Sequence, residues 1–449
     1  MPAARQPIVV IAPDSFKGSL DAQAVCEAIA RGLRRVWPDA GIRACPMADG
    51  GEGTLDAVLS RGGERRQREV TGAGGKSRVA AYGIVASRED VTAVIEAAEV
   101  VGITDPDGMS RPVTARATQG IGELIRALLD AGVRRFMIGL GGSSTNDGGA
   151  GMLAALGLKL VDAAGRDIAP TPEGLASLAL VHAQGLDPRL AQSSITIMSD
   201  VNNPLCGERG ATAIFGPQKG VGADDIGPID DTLARFAALA EHATGARAAD
   251  RPGAGAAGGL GFALQLVGGT FRSGADVVAD LIGLDAALAG ADWAFTGEGR
   301  TDLQTLLRKA PYVVAERARA AGVPITLLSG AVDAAALPEL GRVFAGCFAL
   351  PAAPMALAEC IANADALIAD RAEQIARVAA RAWEQRREPG SRGPRRGLRM
   401  GMRPGRVDAT RPTRRPSDGT AGTRRPSRRH TAHGHLLRAP SVLSQKFTR

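Results

Sequence analysis

The chain has 449 residues, which is enough for two or three domains with a sizeable buried core. Its formal net charge of +7 is unevenly distributed, because residues 386–449 hold 18 of the 54 Lys and Arg residues but three of the 47 Asp and Glu residues. That segment therefore carries +15 and the rest of the chain −8. The acidic main part argues against a nucleic-acid-binding core, so we expect nucleic acid to bind at most non-specifically, through the C-terminal tail.

Cysteine usage and the N-terminus bear on the cellular compartment. The five cysteines are widely spaced and include no Cys-x-x-Cys pair, which argues against a disulfide framework or a zinc site. The apolar run "IVVIA" near the N-terminus is too short for a signal peptide, and no 18-residue apolar window occurs. These features predict a cytosolic enzyme without a membrane partner.

Strand and helix patterns alternate in two separate regions. In residues 1–65, strands are predicted at "PIVVIAP" and "AGIRACPM", with a helix between them that has Ser19 as its N-cap. In residues 290–385, helical patterns follow "ADWAFTGEG", "VPITLLSG" and "RVFAGCFALP". This alternation predicts one parallel, doubly wound sheet formed by both regions.

The remaining chain divides into two further parts. Residues 66–289 contain hairpin-like pieces, helices and long glycine-rich loops, which predicts a second α/β domain inserted into the first. Residues 386–449 contain seven prolines and no helical period, which predicts a disordered, basic tail.

Polar, glycine-rich clusters follow four of the predicted strands. Their sequences are "PDSFKG", "ADGGEG", "TGEGRTD" and "SGAVD". Ligands of open α/β sheets bind beyond the carboxyl ends of the strands. The clusters supply glycine-flanked acids suited to Mg²⁺ ligation or to accepting a hydroxyl proton: Asp14, Asp49, Glu52, Glu298 and Asp302.

Two longer loops add to these clusters. The stretch "GLGGSSTNDGGAGM" joins a predicted strand to a helix, and its backbone N–H groups can hold phosphate oxygens. Asp147 in it can ligate a metal ion or cap the helix; an elaborate N-cap and turn is the alternative for the whole loop. The stretch 199–220 brings together Asp200, Asn202, Gln218 and Lys219. Phosphate-binding glycines with acids and lysines indicate phosphoryl transfer.

Two other motif matches lack their structural context. The letters "GAGAAG", residues 253–258, fit a dinucleotide-binding pattern, but no predicted strand precedes them. The letters "TGAGGKS", residues 71–77, end like a phosphate-binding loop but lack its first glycine, so a hairpin turn is predicted there.

Together the motifs resemble the bacterial glycerate kinase family, in its type I group, from about Ile8 to Ala382. The residues that carry the resemblance are "APDSFKGSL", "ADGGEGT", "GLGGSSTNDGGAGM", "DVNNPLCG", "FGPQKG", "PGAGAAGGLG" and "TGEGRTDLQT" with "KAP". The resemblance implies a discontinuous flavodoxin-like domain with an inserted α/β domain. It also implies ATP- and Mg²⁺-dependent phosphorylation of glycerate. The expected reaction converts D-glycerate to 2-phosphoglycerate.

Site roles are assigned on this basis. Lys17 and Arg300 are candidates for the glycerate carboxylate or the transferred phosphoryl group, and Asp49 or Asp200 for the base. Asp147 and Asp302 are the candidate metal ligands. The candidate substrate and phosphate ligands are Ser15, Gly50, Gly51, Glu52, Gly141, Gly142, Ser143, Ser144, Thr145, Asn146, Asn202, Gln218, Lys219, Glu298 and Lys309.

The sequence departs from the family pattern at a few positions. Arg308 stands where a glycine is usual before Lys309, and Leu303 replaces a commonly small residue. Gln119 and Ile121 stand where an aromatic residue and a threonine are more usual. Two alternatives therefore stay open: a kinase of a related hydroxy acid, and a catalytically weakened member with an RNA-binding tail.

Overall fold

The computed structural model describes residues 6–86 and 90–387, and over these residues helices alternate with strands. The strands are β1 (Ile8–Ile11), β2 (Gly41–Ala44), β3 (Glu64–Thr71), β4 (Ser77–Ala86), β5 (Val91–Glu96), β6 (Arg135–Gly139), β7 (Lys159–Val161), β8 (Leu180–His182), β9 (Ser194–Met198), β10 (Thr270–Arg272), β11 (Trp293–Thr296), β12 (Arg300–Thr301), β13 (Ile325–Ser329), β14 (Ala331–Val332) and β15 (Gly346–Ala349). The helices are α1 (Ala22–Arg34), α2 (Thr54–Leu59), α3 (Ala97–Val101), α4 (Pro106–Met109), α5 (Gln119–Asp130), α6 (Ala150–Ala155), α7 (Pro172–Leu175), α8 (Ala211–Phe215), α9 (Ile226–Thr244), α10 (Leu260–Leu266), α11 (Gly274–Leu281), α12 (Leu284–Leu288), α13 (Ala310–Ala320), α14 (Leu337–Leu340), α15 (Leu357–Ala362) and α16 (Ala364–Arg387). The predicted α/β class is confirmed.

The first sheet is parallel throughout, with the strand order β2-β1-β11-β13-β15. Its strands come from two separate parts of the chain, as the alternating pattern predicts. In chain order this is 2-1-3-4-5, the order that flavodoxin-like sheets have. The order supports the flavodoxin-like assignment, which stays a prediction together with the domain boundaries 1–65 plus 290–385 and 66–289.

The second sheet is mixed, with the order β10-β9-β6-β5-β4-β3. Strands β5, β6, β9 and β10 run parallel, whereas β3 and β4 form an antiparallel hairpin in which Thr71 pairs with Ser77. The predicted hairpin turn at residues 71–77 is confirmed. Apolar side chains from α5, α6, α9 and α10 cover this sheet and form the largest core cluster.

Helix α1 shows how the first sheet is covered. Its apolar side packs on β1 and on α16, and Gly32 lies so close to α16 that a Cβ there would come within 2.1 Å of the Ala369 carbonyl oxygen. Its N-cap is Asp21, which accepts a hydrogen bond from the Ala24 N–H at 2.7 Å. The prediction of Ser19 was wrong, because the helix begins two residues later and the Ser19 hydroxyl instead donates to the Ile361 carbonyl.

The carboxyl ends of the parallel strands in both sheets meet at one place. A Cβ on Gly141, after β6, would lie 2.4 Å from the Gly51 Cα in the loop after β2. A Cβ on Gly274, after β10, would lie 2.1 Å from the Asp49 carbonyl oxygen. The loops after β2, β6 and β10 therefore touch through backbone atoms, which requires glycine at these contacts.

None of the helices in residues 6–86 and 90–387 is long and apolar enough to cross a membrane. The predicted tail, apart from the last two residues of α16, lies outside the described residues.

Candidate active site

A cleft of about 490 Å³ lies where the two sets of strand ends meet. The four polar clusters predicted at strand ends do lie at one edge of the first sheet, since β1, β2, β11 and β13 are parallel. Nine residues predicted from the sequence line the cleft: Lys17, Asp49, Gly50, Gly51, Glu52, Gly141, Gly142, Asp200 and Lys309. The cleft thus combines cations, acids and glycine backbone.

Two further cavities adjoin the cleft. One of about 870 Å³ shares Ser199, Asp200 and Leu307 with it and contains the predicted residue Asn202. Another, of about 260 Å³, shares Gly141 and Gly142 with it and contains Ser143, Gln218 and Lys219. Ser15 instead lines a different cavity of about 470 Å³, next to Asp21 and Asp56.

Three acids interact electrostatically at the first-sheet side of the cleft. Burial raises the pKa of Asp14 to about 7, the charges of Asp49 and Glu298 add to this, and the Ser15 N–H and Lys17 oppose it. The sequence predicts Asp14 only as one of several acids suited to Mg²⁺ ligation or to accepting a proton, and it is the first acid after β1. Its burial against other acids is a tertiary property that the sequence does not show.

Glu298 is held by neighbours from its own segment. It accepts hydrogen bonds from the Thr305 hydroxyl at 2.5 Å and the Thr301 hydroxyl at 3.1 Å, and the Lys309 Nζ lies 3.8 Å away. Burial raises the pKa of Glu298, against these hydrogen bonds and the charge of Lys309. Glu298 therefore holds the segment 301–309 in place through these contacts.

Two predicted residues of the same segment lie away from the cleft lining. Asp302 caps the 3₁₀ turn at 303–306, where it accepts from the Gln304 N–H at 2.8 Å. Arg300 is exposed on β12 and pairs with Ala331 of β14. In this structure Asp302 has a capping role, and the metal role predicted for it stays a prediction.

Most of the loop 139–152 is buried inside the protein and does not line the cleft. Ser144, Thr145, Asn146 and Asp147 are fully buried, and the cavities reach only as far as Ser143. Asp147 accepts four hydrogen bonds: from the N–H and hydroxyl of Thr118, both at 2.8 Å, and from the N–H groups of Gly151 at 3.1 Å and Gly149 at 3.2 Å. These contacts give Asp147 a framework role in this structure, and the ligand roles predicted for the four residues stay predictions.

Two buried basic side chains, those of Lys219 and Arg116, donate hydrogen bonds to backbone carbonyls of this loop. The Lys219 Nζ donates to the Thr145 carbonyl at 2.7 Å and to the Ser143 hydroxyl at 3.3 Å. Burial lowers the pKa of Lys219 to about 7, and the charge of Asp147 opposes this. Arg116, which sequence reasoning missed, donates to the carbonyls of Ser144 and Lys219 at 3.0 Å each. No spacing or motif marks Arg116; only its burial shows the role.

Asp200 lies at the end of β9, between the cleft and the larger cavity. Desolvation by the surrounding walls raises its pKa to about 6, as do the charges of Asp49 and Asp276, whereas the Ser273 hydroxyl and Arg308 lower it. A carboxylate with this pKa is ionised at neutral pH and still basic enough to accept a hydroxyl proton.

Residues 9–380 match the model of the glycerate kinase family. The chain belongs to this family. A glycerate kinase of Bacillus subtilis (strain 168) is 43% identical over 72% of this chain and 85% of its own length, and a glycerate 2-kinase of Escherichia coli (strain K12) is 41% identical over the same shares. The crystal structure of a Salmonella typhimurium LT2 protein described as a glycerate kinase 2 superposes with a TM-score of 0.74 and 40% identity, covering 85% of this chain and 100% of that one. The predicted family is confirmed, and the chain is an enzyme of the kinase class.

The four departures from the glycerate kinase pattern lie in two places. Gln119 donates to Glu123 within α5, and Ile121 is fully buried in the core, so both have local structural roles. Leu303 is 52% exposed in the 3₁₀ turn after Asp302. Arg308 has a left-handed backbone, with φ at 66°, and pairs with Asp276 at 2.5 Å and Glu316 at 3.3 Å.

Arg308→Gly is expected to change the free energy of unfolding by less than about 1 kcal/mol and to raise kcat about twofold or more. The change relieves about 1–2 kcal/mol of left-handed strain and loses exposed ion pairs, each contributing about 0–1 kcal/mol. Loss of the pair with Asp276 also frees the 302–309 segment to move during turnover.

Urea unfolding and steady-state kinetics measure the effects of Arg308→Gly on stability and on kcat. Arg308→Ala is the control, since it keeps the strain and loses the ion pairs; equal stability of both variants would contradict the strain argument.

Proposed function

We propose that this enzyme transfers the γ-phosphate of ATP to D-glycerate in the presence of Mg²⁺ and that the product is 2-phosphoglycerate. The single observation that carries the proposal is the cleft itself, in which lysines and acids surround the glycine contact between Gly51 and Gly141. Relatives named glycerate kinase and glycerate 2-kinase, at 41–43% identity, support the substrate and the hydroxyl that is phosphorylated.

The cleft residues divide by charge into two roles. Lys17 and Lys309 are the cations available to neutralise the glycerate carboxylate and the transferred phosphoryl group. Asp200 is the proposed base, because it projects into the cleft with a pKa near 6, and Asp49 is the alternative. Exposed Arg300 stays a candidate for substrate contact once ligand is bound. Catalysis by such a site is mainly positioning and charge neutralisation.

Asp14 and Asp49 fit a role in holding Mg²⁺ better than Asp147 and Asp302 do. Within residues 6–86 and 90–387, no three acid, histidine or cysteine side chains form a preassembled metal centre. Mg²⁺ in kinases is commonly bound through one or two carboxylates together with substrate phosphates and waters. The raised pKa of Asp14 beside Asp49 marks a pair of acids that a cation would stabilise. When bound, Mg²⁺ supplies charge neutralisation on the phosphate oxygens.

The test is an assay of the purified full-length chain with ATP, Mg²⁺ and D-glycerate, in which the phosphoglycerate formed is identified by NMR. We expect turnover to 2-phosphoglycerate and none when EDTA replaces Mg²⁺. Formation of 3-phosphoglycerate would contradict the proposed product, and turnover only with another hydroxy acid would contradict the substrate. Removal of residues 386–449 is expected to leave kcat unchanged. If the full-length chain binds RNA in a salt-sensitive way and the truncated chain does not, the RNA-binding alternative is favoured. Cytosolic location stays a prediction.

A further inference from the structure

Three motifs that carry the family resemblance converge on the 260 Å³ cavity beside the cleft. The segment "FGPQKG" contributes Phe215, Gln218 and Lys219, and the segment "PGAGAAGGLG" contributes Ala256 and Ala257. The loop "GLGGSS" contributes Leu140, Gly141, Gly142 and Ser143. The roles proposed above use only the glycines of this set, so the function of the cavity is open.

The cavity walls are apolar, and polar groups lie at a few places only. Ile103, Leu140 and Phe215 form apolar walls together with the two alanines. The Gln218 side chain is exposed and makes no hydrogen bond within the part of the chain that the structure describes. An apolar pocket with a few placed polar groups is typical of a small-molecule site.

The wall formed by residues 256–259 is tightly held. Ala257 has a left-handed backbone, with φ at 53°, which is costly for a residue other than glycine. A Cβ on Gly258 would lie 2.0 Å from the Thr145 carbonyl oxygen, so this backbone packs directly on the buried loop that Lys219 holds. The pocket is therefore formed before any ligand binds.

The cavity opens toward the catalytic cleft. Gly141, Gly142, Ser199 and Val201 line both spaces. A ligand can therefore lie in the cavity at one end and reach the cleft lysines at the other, crossing glycine backbone that offers N–H groups without side chains.

We propose that this cavity is the subsite for the purine base of ATP. The inference rests on the proposed function and specifies where the nucleotide lies: the base between Phe215 and the alanine wall, the triphosphate across Gly141 and Gly142, and glycerate in the cleft. A volume of about 260 Å³ is below the roughly 300–1,000 Å³ that encloses a drug-sized ligand, which suits a ring system rather than a whole nucleotide. The Gln218 amide can donate to and accept from an adenine edge, as glutamine does with adenine in other complexes.

The neighbouring 870 Å³ cavity is the competing location, and its lining is less suitable. It contains three arginines, Arg272, Arg308 and Arg317, which pair with acids on α11. Placing an uncharged ring there would cover charged groups without hydrogen-bonding them.

The experiment measures binding of ATP and of tripolyphosphate, both with Mg²⁺, by calorimetry on the full-length protein. Phe215→Ala is expected to weaken ATP binding about 10-fold or more, and Gln218→Ala about 5-fold. Neither variant should change tripolyphosphate binding by more than twofold, because that ligand has no base. Leu306→Ala, which changes an apolar wall of the larger cavity only, is the matched control and should leave both affinities unchanged.

The outcomes separate this inference from the proposed function. If wild type phosphorylates glycerate but Phe215→Ala and Gln218→Ala bind ATP normally, the base subsite is wrong while the function stands. Loss of ATP affinity in Leu306→Ala alone would place the base in the larger cavity. If both variants weaken ATP and tripolyphosphate equally, the residues act on the phosphates or on the fold, which also overturns the proposal. If wild type binds neither ligand, the proposed function itself fails.

Discussion

Replacing Asp147 with alanine is expected to lower the free energy of unfolding by about 3–5 kcal/mol. The carboxylate is fully buried and accepts four hydrogen bonds. Three of them come from backbone N–H groups of the buried residues Thr118, Gly149 and Gly151. Each buried donor left without an acceptor costs about 1–3 kcal/mol. The buried ammonium of Lys219, which interacts with the charge of Asp147, also loses this counter-charge. Urea unfolding at pH 7 measures the change.

The matched control for this variant is Asp333→Ala. Asp333 likewise accepts a hydrogen bond from a backbone N–H, that of Ala335 at 3.0 Å, but it is exposed at the surface. Its replacement with alanine is expected to lower the free energy of unfolding by about 0.5–1 kcal/mol. An Asp147→Ala variant no less stable than the control would contradict the framework role and return Asp147 to the candidate ligands. Arg116→Ala should also be destabilised, since Arg116 donates to the carbonyl of Ser144 in the same loop and to that of Lys219.

Asp200→Asn is expected to lower kcat for glycerate by about 10²–10⁴-fold, the usual contribution of a general base. The amide keeps the shape of the side chain and the reach to Ser273 but cannot accept the hydroxyl proton. In wild type, kcat/KM should rise as pH increases through about 6, because only the ionised Asp200 accepts a proton. Binding of ATP should change little in the variant. Steady-state kinetics from pH 5 to 9 and calorimetry check these results.

Asp280→Asn is the matched control for the base assignment. Asp280 lines only the larger cavity and pairs with Arg272 and Arg317, so its variant should keep kcat within about twofold. If Asp200→Asn keeps its activity and Asp49→Asn loses it without needing a higher Mg²⁺ concentration, the base is Asp49. A pH profile that stays flat between pH 5 and 8 would also contradict the role of Asp200.

The sequence by itself determined the organisation of this protein. Alternation of β-branched runs with helical patterns defines a parallel sheet, because each element must bury one apolar side against its neighbour. Glycine-rich clusters at the ends of β1 and β2 marked one side of the cleft, since parallel strands of one sheet end at one edge. The hairpin at 71–77 also followed from its local turn residues alone. These are properties of short segments, which the sequence shows directly.

Only the tertiary structure decided which side of each loop faces the cleft. Within one stretch, Gly141 and Gly142 line it whereas Ser144 and Asp147 are buried, although all four lie in one glycine-rich pattern. Burial, charge proximity and pKa depend on what packs from distant parts of the chain. Lys219 and Arg116 reach the loop 139–152 from outside it, and Asp14 becomes unusual only because Asp49 and Glu298 are nearby. Local spacing contains no information about such contacts.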